Sequence, residues 1–580
     1  MDRPSPIEDK DLRHDSFSRS DHRTKRLPAM GWNSWNAFGS GNTEELTRTM
    51  VGKILELGLD KLGYEYIVLD DGCYMPVRIE GRLAADDVKF PSGFGKLSDF
   101  IHANGLKFGM YNDIGTKLCS GIEVGICGHE KEDCEDYVKW GIDFIKVDNC
   151  YYPWDNATFA DTENARFTFA PNIKSIEIDG ITHEAKDAII TGTRAEVKDG
   201  YVTFIGTYDG TAPDRTPVGL QSSELIWEIL SDKDKTSEFN VTYATGREEG
   251  IGEWLQAAVN DEVFFDGLLP ATESPEEFVI SDTISIRLHK GTNRIRLMNH
   301  RRQENTLQSY TRIRQELDKA GGSNITMSIC EWGKTQPQDW GHKVGDSWRI
   351  LNDIKFQVGS DGTPGKASWN DDYTLSITSQ YNKAVIMDEF SGLTKGWNDP
   401  DMMVIGMNGI DDTMSRSHMA MWCMLNAPLM LGLDLRKVSK GDAVHNIISD
   451  EDLIALNQDP LGIQAKRIFT TIECEEPDKE YIRDIRRIDV LAKPLANGDL
   501  ALAFFNLDKE TRADDPKISI ELILDKIGSK MVNRDLFANA SGFDIRDLYT
   551  KETVRTTDRI FSAGPLGPCD SKIIRITPAS

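Results

Sequence analysis

The sequence predicts an α/β protein: a (β/α)8 TIM barrel with a β-sandwich domain inserted after the fourth strand and an antiparallel β domain at the C-terminus. Three observations predict it. Short apolar runs ending in polar residues alternate with amphipathic helical stretches, the pattern of a parallel barrel. Between about Asp155 and Asn299 the pattern gives way to short alternating runs such as YVTFIGTYDG and EFNVTYATG, separated by Gly, Asp and Asn turns, the marks of an all-β sandwich. From about Ile468, runs such as DLALAFFNLD, KISIELIL and KIIRITP read as strands again.

The elements follow in order. Residues 1–27 are polar and charged and form a lead without regular structure. The first part of the barrel spans 28–154. Pro28–Phe38 (PAMGWNSWNAF) is its first strand, and Thr43–Leu62 is a helix with Met50, Ile54, Leu55 and Leu59 on one face, stopped at Gly63. Tyr64–Asp71 (YEYIVLDD) is the second strand, Phe94–Asn104 a helix, Leu106–Asp113 (LKFGMYND) the third strand and Glu130–Trp140 a helix. The fourth strand lies in Gly141–Cys150 (GIDFIKVDNC), an apolar run rich in β-favouring residues that closes in Lys146, Asp148 and Asn149. The insert occupies 155–304. Helical periodicity returns at Asn305–Ala320, and strands follow at Ile325–Trp332, Ser347–Ile354, Trp397–Ile405 and Leu429–Leu435, with helices at Ser415–Asn426 and Asp450–Asn457. The second part of the barrel therefore spans 305–465 and the terminal β domain 466–580. A doubly wound sheet would need a glycine-rich phosphate turn after an early strand, and none is present.

Composition narrows the function. A chain of 580 residues is long enough for several domains. With 94 acidic against 67 basic residues it carries a formal charge of −27, and no basic run could track a phosphate backbone, so nucleic acid is excluded as a partner. No apolar run approaches the roughly 18 residues of a membrane span. The lead has no apolar segment of a signal peptide, which places the protein in the cytoplasm unless a leader has been removed. Nine cysteines, an odd number, do not form a complete disulfide framework, and no CxxC or HExxH marks a metal site. The triplets at Asn156, Asn240, Asn324 and Asn539 fit N-glycosylation.

Active sites of such barrels sit at the carboxyl ends of the strands. Here those ends gather Trp32 and Trp35, Asp70 and Asp71, Tyr111 and Asp113, Lys146 and Asp148, Glu331 and Trp332, Arg349 and Asp353, and Asp399 and Asp401: a carboxylate-rich cup with indole walls. Indoles stack on the apolar faces of sugar rings and carboxylates accept from vicinal hydroxyls, so the cup favours a carbohydrate over a phosphorylated ligand. A hard divalent cation would use the carboxylates but not the interleaved Trp, Lys and Arg, and neither metal nor cofactor is expected. Glycoside hydrolysis needs two carboxyl groups flanking one bond. Asp148 and Asp353, at the ends of the fourth and sixth strands, can face each other across the cup. Lys146, two residues before Asp148 on the same side of its strand, is expected to lower that carboxylate's pKa. Arg349, four residues before Asp353, argues against a raised pKa there if the two touch.

These stretches resemble glycoside hydrolase family 27, the α-galactosidases and their relatives. The resemblance is carried by MGWNSWNAFG from Met30, YEYIVLDDG from Tyr64, GLKFGMYNDIG from Gly105, GIDFIKVDNC from Gly141, ICEWG from Ile329, SWRILNDI from Ser347, GWNDPDMMVIG from Gly396, and NAPLMLGLDLR with LNQDPLG beyond. It implies a retaining, exo-acting α-galactosidase with Asp148 as nucleophile and Asp353 as general acid and base. It implies Asp70 and Asp71 on the 4- and 6-hydroxyls of galactose, Lys146 on the 3- and 4-hydroxyls, Arg349 and Cys330 near the 2-hydroxyl, and Trp35, Tyr111, Glu331, Trp332, Asp401 and Met402 lining the pocket. It also implies a disulfide between Cys119 and Cys150, while Gly72 before Cys73 departs from the family's DDCW and argues against an early disulfide there. Relatives in the family cleave α-N-acetylgalactosaminides or β-L-arabinopyranosides. Those activities, and a non-catalytic galactoside-binding protein, are the alternatives. The insert resembles carbohydrate-binding modules of the family 6 and 35 type, through HEAKDAIITGTRAEV from His183 and GTNRIRLMNH from Gly291. A sugar-binding module, a lid or dimer contact, and a structural insertion all remain open for it, with Trp227 and Trp254 as aromatic candidates and a homo-oligomer among the outcomes.

Overall fold

The computed structural model describes residues 26–151, 170–192, 195–206, 223–245, 253–354, 366–371, 376–510 and 514–579. Eight parallel strands form the central sheet: β1 (Met30–Asn33), β2 (Tyr66–Val68), β3 (Lys107–Asp113), β4 (Phe144–Asp148), β5 (Thr326–Cys330), β6 (Ser347–Arg349), β7 (Trp397–Asp399) and β8 (Leu429–Leu431). They pair in sequence order from β1 to β7, and β8 lies against β1. A parallel bridge between Met403, just past β7, and Leu431 of β8 brings the two edges together. Gly31 is required in β1, because a Cβ there would lie 2.3 Å from the Tyr66 carbonyl of β2.

The helices follow from the same local rules. α1 (Glu44–Leu57) is capped by the Thr43 hydroxyl, which accepts from Leu46 N, and it ends at Gly58 with φ 72°. The periodicity that continues to Leu62 is a separate 3-10 turn. α2 (Gly93–Ala103) and α3 (Glu130–Trp140) follow, and α4 (Arg301–Lys319) starts before the apolar periodicity because Arg301, Arg302, Asn305 and Thr306 in its first turns are buried polar residues. α5 (Ile377–Ala384) and α6 (Asp412–Met424) complete the set used below. Several strands are shorter than the apolar runs suggest. Ile350, Leu351 and Ile354 extend the run of β6 and are buried, yet they lie in the loop after the strand, so Asp353 stands on that loop.

The insert is a two-sheet sandwich. One sheet runs Glu262–Leu269, Glu253–Val259, Gly291–Met298, Leu225–Ser231, Ile189–Ile190, and the other is built around Lys235–Ala244 and Asn172–Ile178. Trp227 belongs to the core between the sheets, with its indole N–H on the Glu184 carbonyl. Trp254 is buried on the outer face, its N–H on Asp266 at 2.6 Å and its ring under the Arg301 guanidinium of α4. Neither indole is the open sugar platform that their positions in the sequence allowed. Gln256 bonds the backbone N–H of His300, and Arg296 and His300 share Glu224, so this sheet docks on the first turn of α4.

The terminal domain is a six-stranded antiparallel sheet in the order Lys466–Thr470, Ile488–Pro494, Leu500–Asn506, Ser571–Ala579, Gly542–Asp547, Thr553–Thr556. KISIELIL is a correction: only Ile518–Ser519 is strand, and Ile520–Ile527 is a helix whose buried residues Ile520, Ile523 and Ile527 fall at helical spacing. Against the barrel, Asp489 is fully buried between Arg467 and Arg487 and accepts from Tyr381 of α5, while Arg487 also donates to Asn382. Asp489→Ala would leave two buried guanidiniums without their carboxylate. It is expected to destabilise the protein by about 3–5 kcal/mol, measurable by denaturant unfolding. A change under about 1 kcal/mol would contradict this account of the interface.

Among the described residues no helix is long and apolar enough to cross a membrane.

Candidate active site

The register of the sheet assembles the site. With period two, Phe144, Lys146 and Asp148 of β4 share one face. Their partners on β3 are Gly109, Tyr111 and Asp113, and on β5 Thr326, Ser328 and Cys330. Below this lies an apolar plug of Tyr66, Val68, Phe144, Met402 and Met430, with Trp35 packed on it.

Asp148 is buried. Its Oδ2 accepts from the Tyr111 hydroxyl at 3.0 Å and lies 3.2 Å from Cys119 Sγ, and the Cys330 thiol also donates to the carboxylate. Desolvation pushes its pKa up to about 6, and Lys146 only partly offsets this. Lys146 does pull the Asp148 pKa down as expected, but desolvation is larger, and the ammonium itself bonds Asp70 Oδ2 at 2.9 Å. Asp70 Oδ2 also accepts from Asn33 Nδ2, and Asp70 Oδ1 from the Asp71 N–H. Asp71 is held by Ser120 through both the backbone N–H and the hydroxyl, and burial raises its pKa to about 6. Asp113, at about 7 through burial and the neighbouring Asp148, accepts from Gly115 N and Cys150 N.

Across the cup, Arg349 is buried. Its Nη2 bonds Asp353 Oδ1 and Asp401 Oδ2, each at 2.9 Å, and its Nη1 lies 3.5 Å from the Cys330 thiol. Arg349 and Asp353 do touch, yet the Asp353 pKa is raised, because desolvation outweighs the guanidinium's opposing pull. Asp401 also accepts from the backbone N–H groups of Ile354 and Met402, and its own N–H donates to Asp399, whose pKa burial lifts to about 6. Asp401 and Trp332 both sit at positive φ, 77° and 60°, strain of the kind that gathers at functional sites. Gly333 beside Trp332 is fixed by space as well, since a Cβ would meet the Ile350 carbonyl at 2.2 Å. The Lys334 ammonium lies 4.4 Å from the Trp332 ring.

Two bonded groups make up the polar network: Asp70, Asp71 and Lys146 in one, and Tyr111, Asp148, Cys330, Arg349, Asp353 and Asp401 in the other, with Trp35, Trp332 and Met402 just after β1, β5 and β7. Glu331 is the exception. Its carboxylate accepts from the N–H and hydroxyl of Thr335, alternating away from the Cys330 side of the strand, so it braces the loop after β5. Asn33, Ser120 and Asp113 complete the network. Asn33 was readable as the polar end of β1, and Ser120 only as the neighbour of Cys119. Cys119 and Cys150 are joined, with Cα atoms 5.2 Å apart, and Cys73 and Cys330 are free thiols. Asp113, Cys119 and Cys150 are the one grouping of metal-type donors among the described residues, and two of the three are disulfide sulfurs, which do not act as thiolate ligands.

Comparison with known proteins agrees with this geometry. The profile of the α-galactosidase A family (melibiase) matches residues 27–171 and 297–459, more than half of the chain and on both sides of the insert, and that of the α-galactosidase C-terminal β-sandwich domain matches 486–576. The chain is 26% identical over 539 residues to α-galactosidase A of Cellvibrio japonicus, covering 92% of this chain and 88% of that one. Its fold is similar to that of α-galactosidase I from Mortierella vinacea, with a TM-score of 0.59 at 20% identity, covering 95% and 97% of the two chains. It is also similar to a β-L-arabinopyranosidase of glycoside hydrolase family 27 from Geobacillus stearothermophilus, with a TM-score of 0.54 at 16% identity, covering 95% and 97% of the two chains at the level of fold. With a barrel ending in these paired aspartates, a matching terminal β domain and a family profile spanning both halves of the barrel, the chain belongs to the α-galactosidase family, glycoside hydrolase family 27.

Proposed function

We propose that the protein is a retaining, exo-acting α-galactosidase that removes terminal α-linked galactose by double displacement. The observation that carries the reading is Asp148: a buried carboxylate at the end of β4, with one oxygen held by the Tyr111 hydroxyl and the Cys330 thiol beside it. Asp148 Oδ1 attacks the anomeric carbon while Asp353 gives its proton to the departing glycosidic oxygen. Esterification removes the negative charge of Asp148, and Asp353, which that charge had helped keep protonated, then ionises and serves as base for the water that releases the sugar. Asp70, Asp71 and Lys146 accept and donate to the hydroxyls of the ring, and Arg349 with Cys330 lies near the 2-hydroxyl. Both adjacent aspartates are present, which supports a sugar carrying an axial 4-hydroxyl and an exocyclic hydroxyl.

Initial rates on nitrophenyl α-galactoside, α-N-acetylgalactosaminide, β-L-arabinopyranoside and α-glucoside test this, with preference for the α-galactoside expected. Preference for another sugar would contradict the pocket assignment. The pH profile gives a second check. Asp148 and Asp71 each bind a proton near pH 6, so kcat/KM is expected to fall as pH drops through an apparent value near 6 that belongs to the coupled cluster. An acid limb near pH 4 would mean that the carboxylates are not desolvated in the working enzyme.

A further inference from the structure

Ser120 stands exposed on the rim of the cup and covers Asp71, which is buried beneath it. Its backbone N–H donates to Asp71 Oδ2 at 2.8 Å and its hydroxyl to Oδ1 at 2.9 Å, and the Gly72 N–H adds a third donor. An ionised carboxylate has about four acceptor sites, so Asp71 keeps about one. Asp70 is in the same state, with Asn33, Lys146 and the Asp71 N–H as donors. The pair therefore offers about one acceptor per residue, enough for two hydroxyls of one ring. The Ser120 hydroxyl has committed its only hydrogen to Asp71, which leaves its lone pairs to accept.

Ser120 is placed by its neighbours. Cys119 is bonded to Cys150, just past β4, and the Asp113 carboxylate ties Gly115 N to Cys150 N. The loop that carries Ser120 is thereby fastened at both ends to the strand that carries Asp148.

We propose that Ser120 is a positioning and specificity-determining residue of this site: it aims the Asp71 carboxylate, limits it to a single sugar hydroxyl, and is itself held in register with Asp148 by the Cys119–Cys150 disulfide. The inference rests on the reading of Asp71 as a sugar-binding group and assigns the recognition of one hydroxyl, distant from the cleaved bond, to the Asp71–Ser120 unit.

The test uses the full chain and compares wild type with Ser120→Ala and Ser120→Thr on the preferred nitrophenyl glycoside and on β-L-arabinopyranoside. For Ser120→Ala, KM is expected to rise roughly tenfold, the size of one hydrogen bond to a charged group, with kcat falling less than KM rises. The preference between the two sugars should shrink. The acid limb of kcat/KM should move to higher pH, because losing a donor makes Asp71 harder to ionise. Ser120→Thr keeps the hydroxyl and should restore all three. An active wild type with Ser120→Ala unmoved in KM, preference and pH profile would overturn this inference alone. So would an equal loss in both variants, which would mark Ser120 as structural. A wild type inactive on every glycoside would overturn the glycosidase reading and the inference with it.

Discussion

Replacing Asp148 by alanine is expected to lower turnover of an activated α-galactoside by roughly 10⁴-fold or more, since the carboxylate assigned to form the glycosyl ester is removed. External azide should restore part of the rate by occupying the space left by the carboxylate. Retained activity without azide would remove Asp148 from the mechanism. The same residue carries a stability consequence of opposite sign. Its pKa in the folded protein is about 6, above the ordinary carboxylate value of 3.8, so the folded state holds a proton that the unfolded chain has already lost. Stability therefore falls as pH rises from about 4 to about 6, and the full penalty is present at pH 7. Asp148→Asn removes the charge and is expected to stabilise the protein at pH 7 by on the order of 2–3 kcal/mol, the gain vanishing at and below about pH 4. Thermal unfolding at the two pH values measures the difference, and equal shifts at both would refute the desolvation argument.

Asp353→Asn should divide substrates by their leaving groups. A general acid contributes typically 10²–10⁴-fold, and its help is needed most where the departing oxygen is basic. Hydrolysis of an alkyl or oligosaccharide galactoside is expected to fall by about three orders of magnitude, whereas a dinitrophenyl galactoside should form the glycosyl-enzyme almost as before. The pre-steady-state burst on the activated substrate separates the two steps. Equal losses on both classes would deny Asp353 its role as acid. The burial that raises the Asp353 pKa despite the Arg349 contact moves it in the direction a general acid needs.

Much of this was legible in the residues, and what was not has physical reasons. The barrel strands announced themselves where an apolar run closes in polar groups, as IKVDNC does. Their ends did not, because Ile350, Leu351 and Ile354 are buried like strand residues although the strand stops at Arg349. The helix at Ile520–Ile527 alternates well enough to imitate a strand, and only its packing face decides between the two. The catalytic pair could be named, but its electrostatics could not be derived. Lys146 lies two residues from Asp148 and does lower its pKa, yet its ammonium bonds Asp70 and desolvation prevails at Asp148. Arg349 touches Asp353 as spacing allowed, and desolvation still dominates. Glu331 stands beside Cys330 in the motif but across the strand from it in space. Trp254 reads equally well as platform or core until Arg301 is seen to cover it. Ser120 carries no motif of its own, since its importance comes from a disulfide and a carboxylate that meet it only in three dimensions.

The central claim is that Asp148 attacks the anomeric carbon and Asp353 serves first as acid and then as base. Proton NMR of the first sugar released from a nitrophenyl α-galactoside, followed before mutarotation, tests it most directly. Double displacement predicts α-galactose as the initial product, with the β anomer appearing only later. If β-galactose appeared first, a single inverting displacement would be operating, and Asp148 would not be the nucleophile.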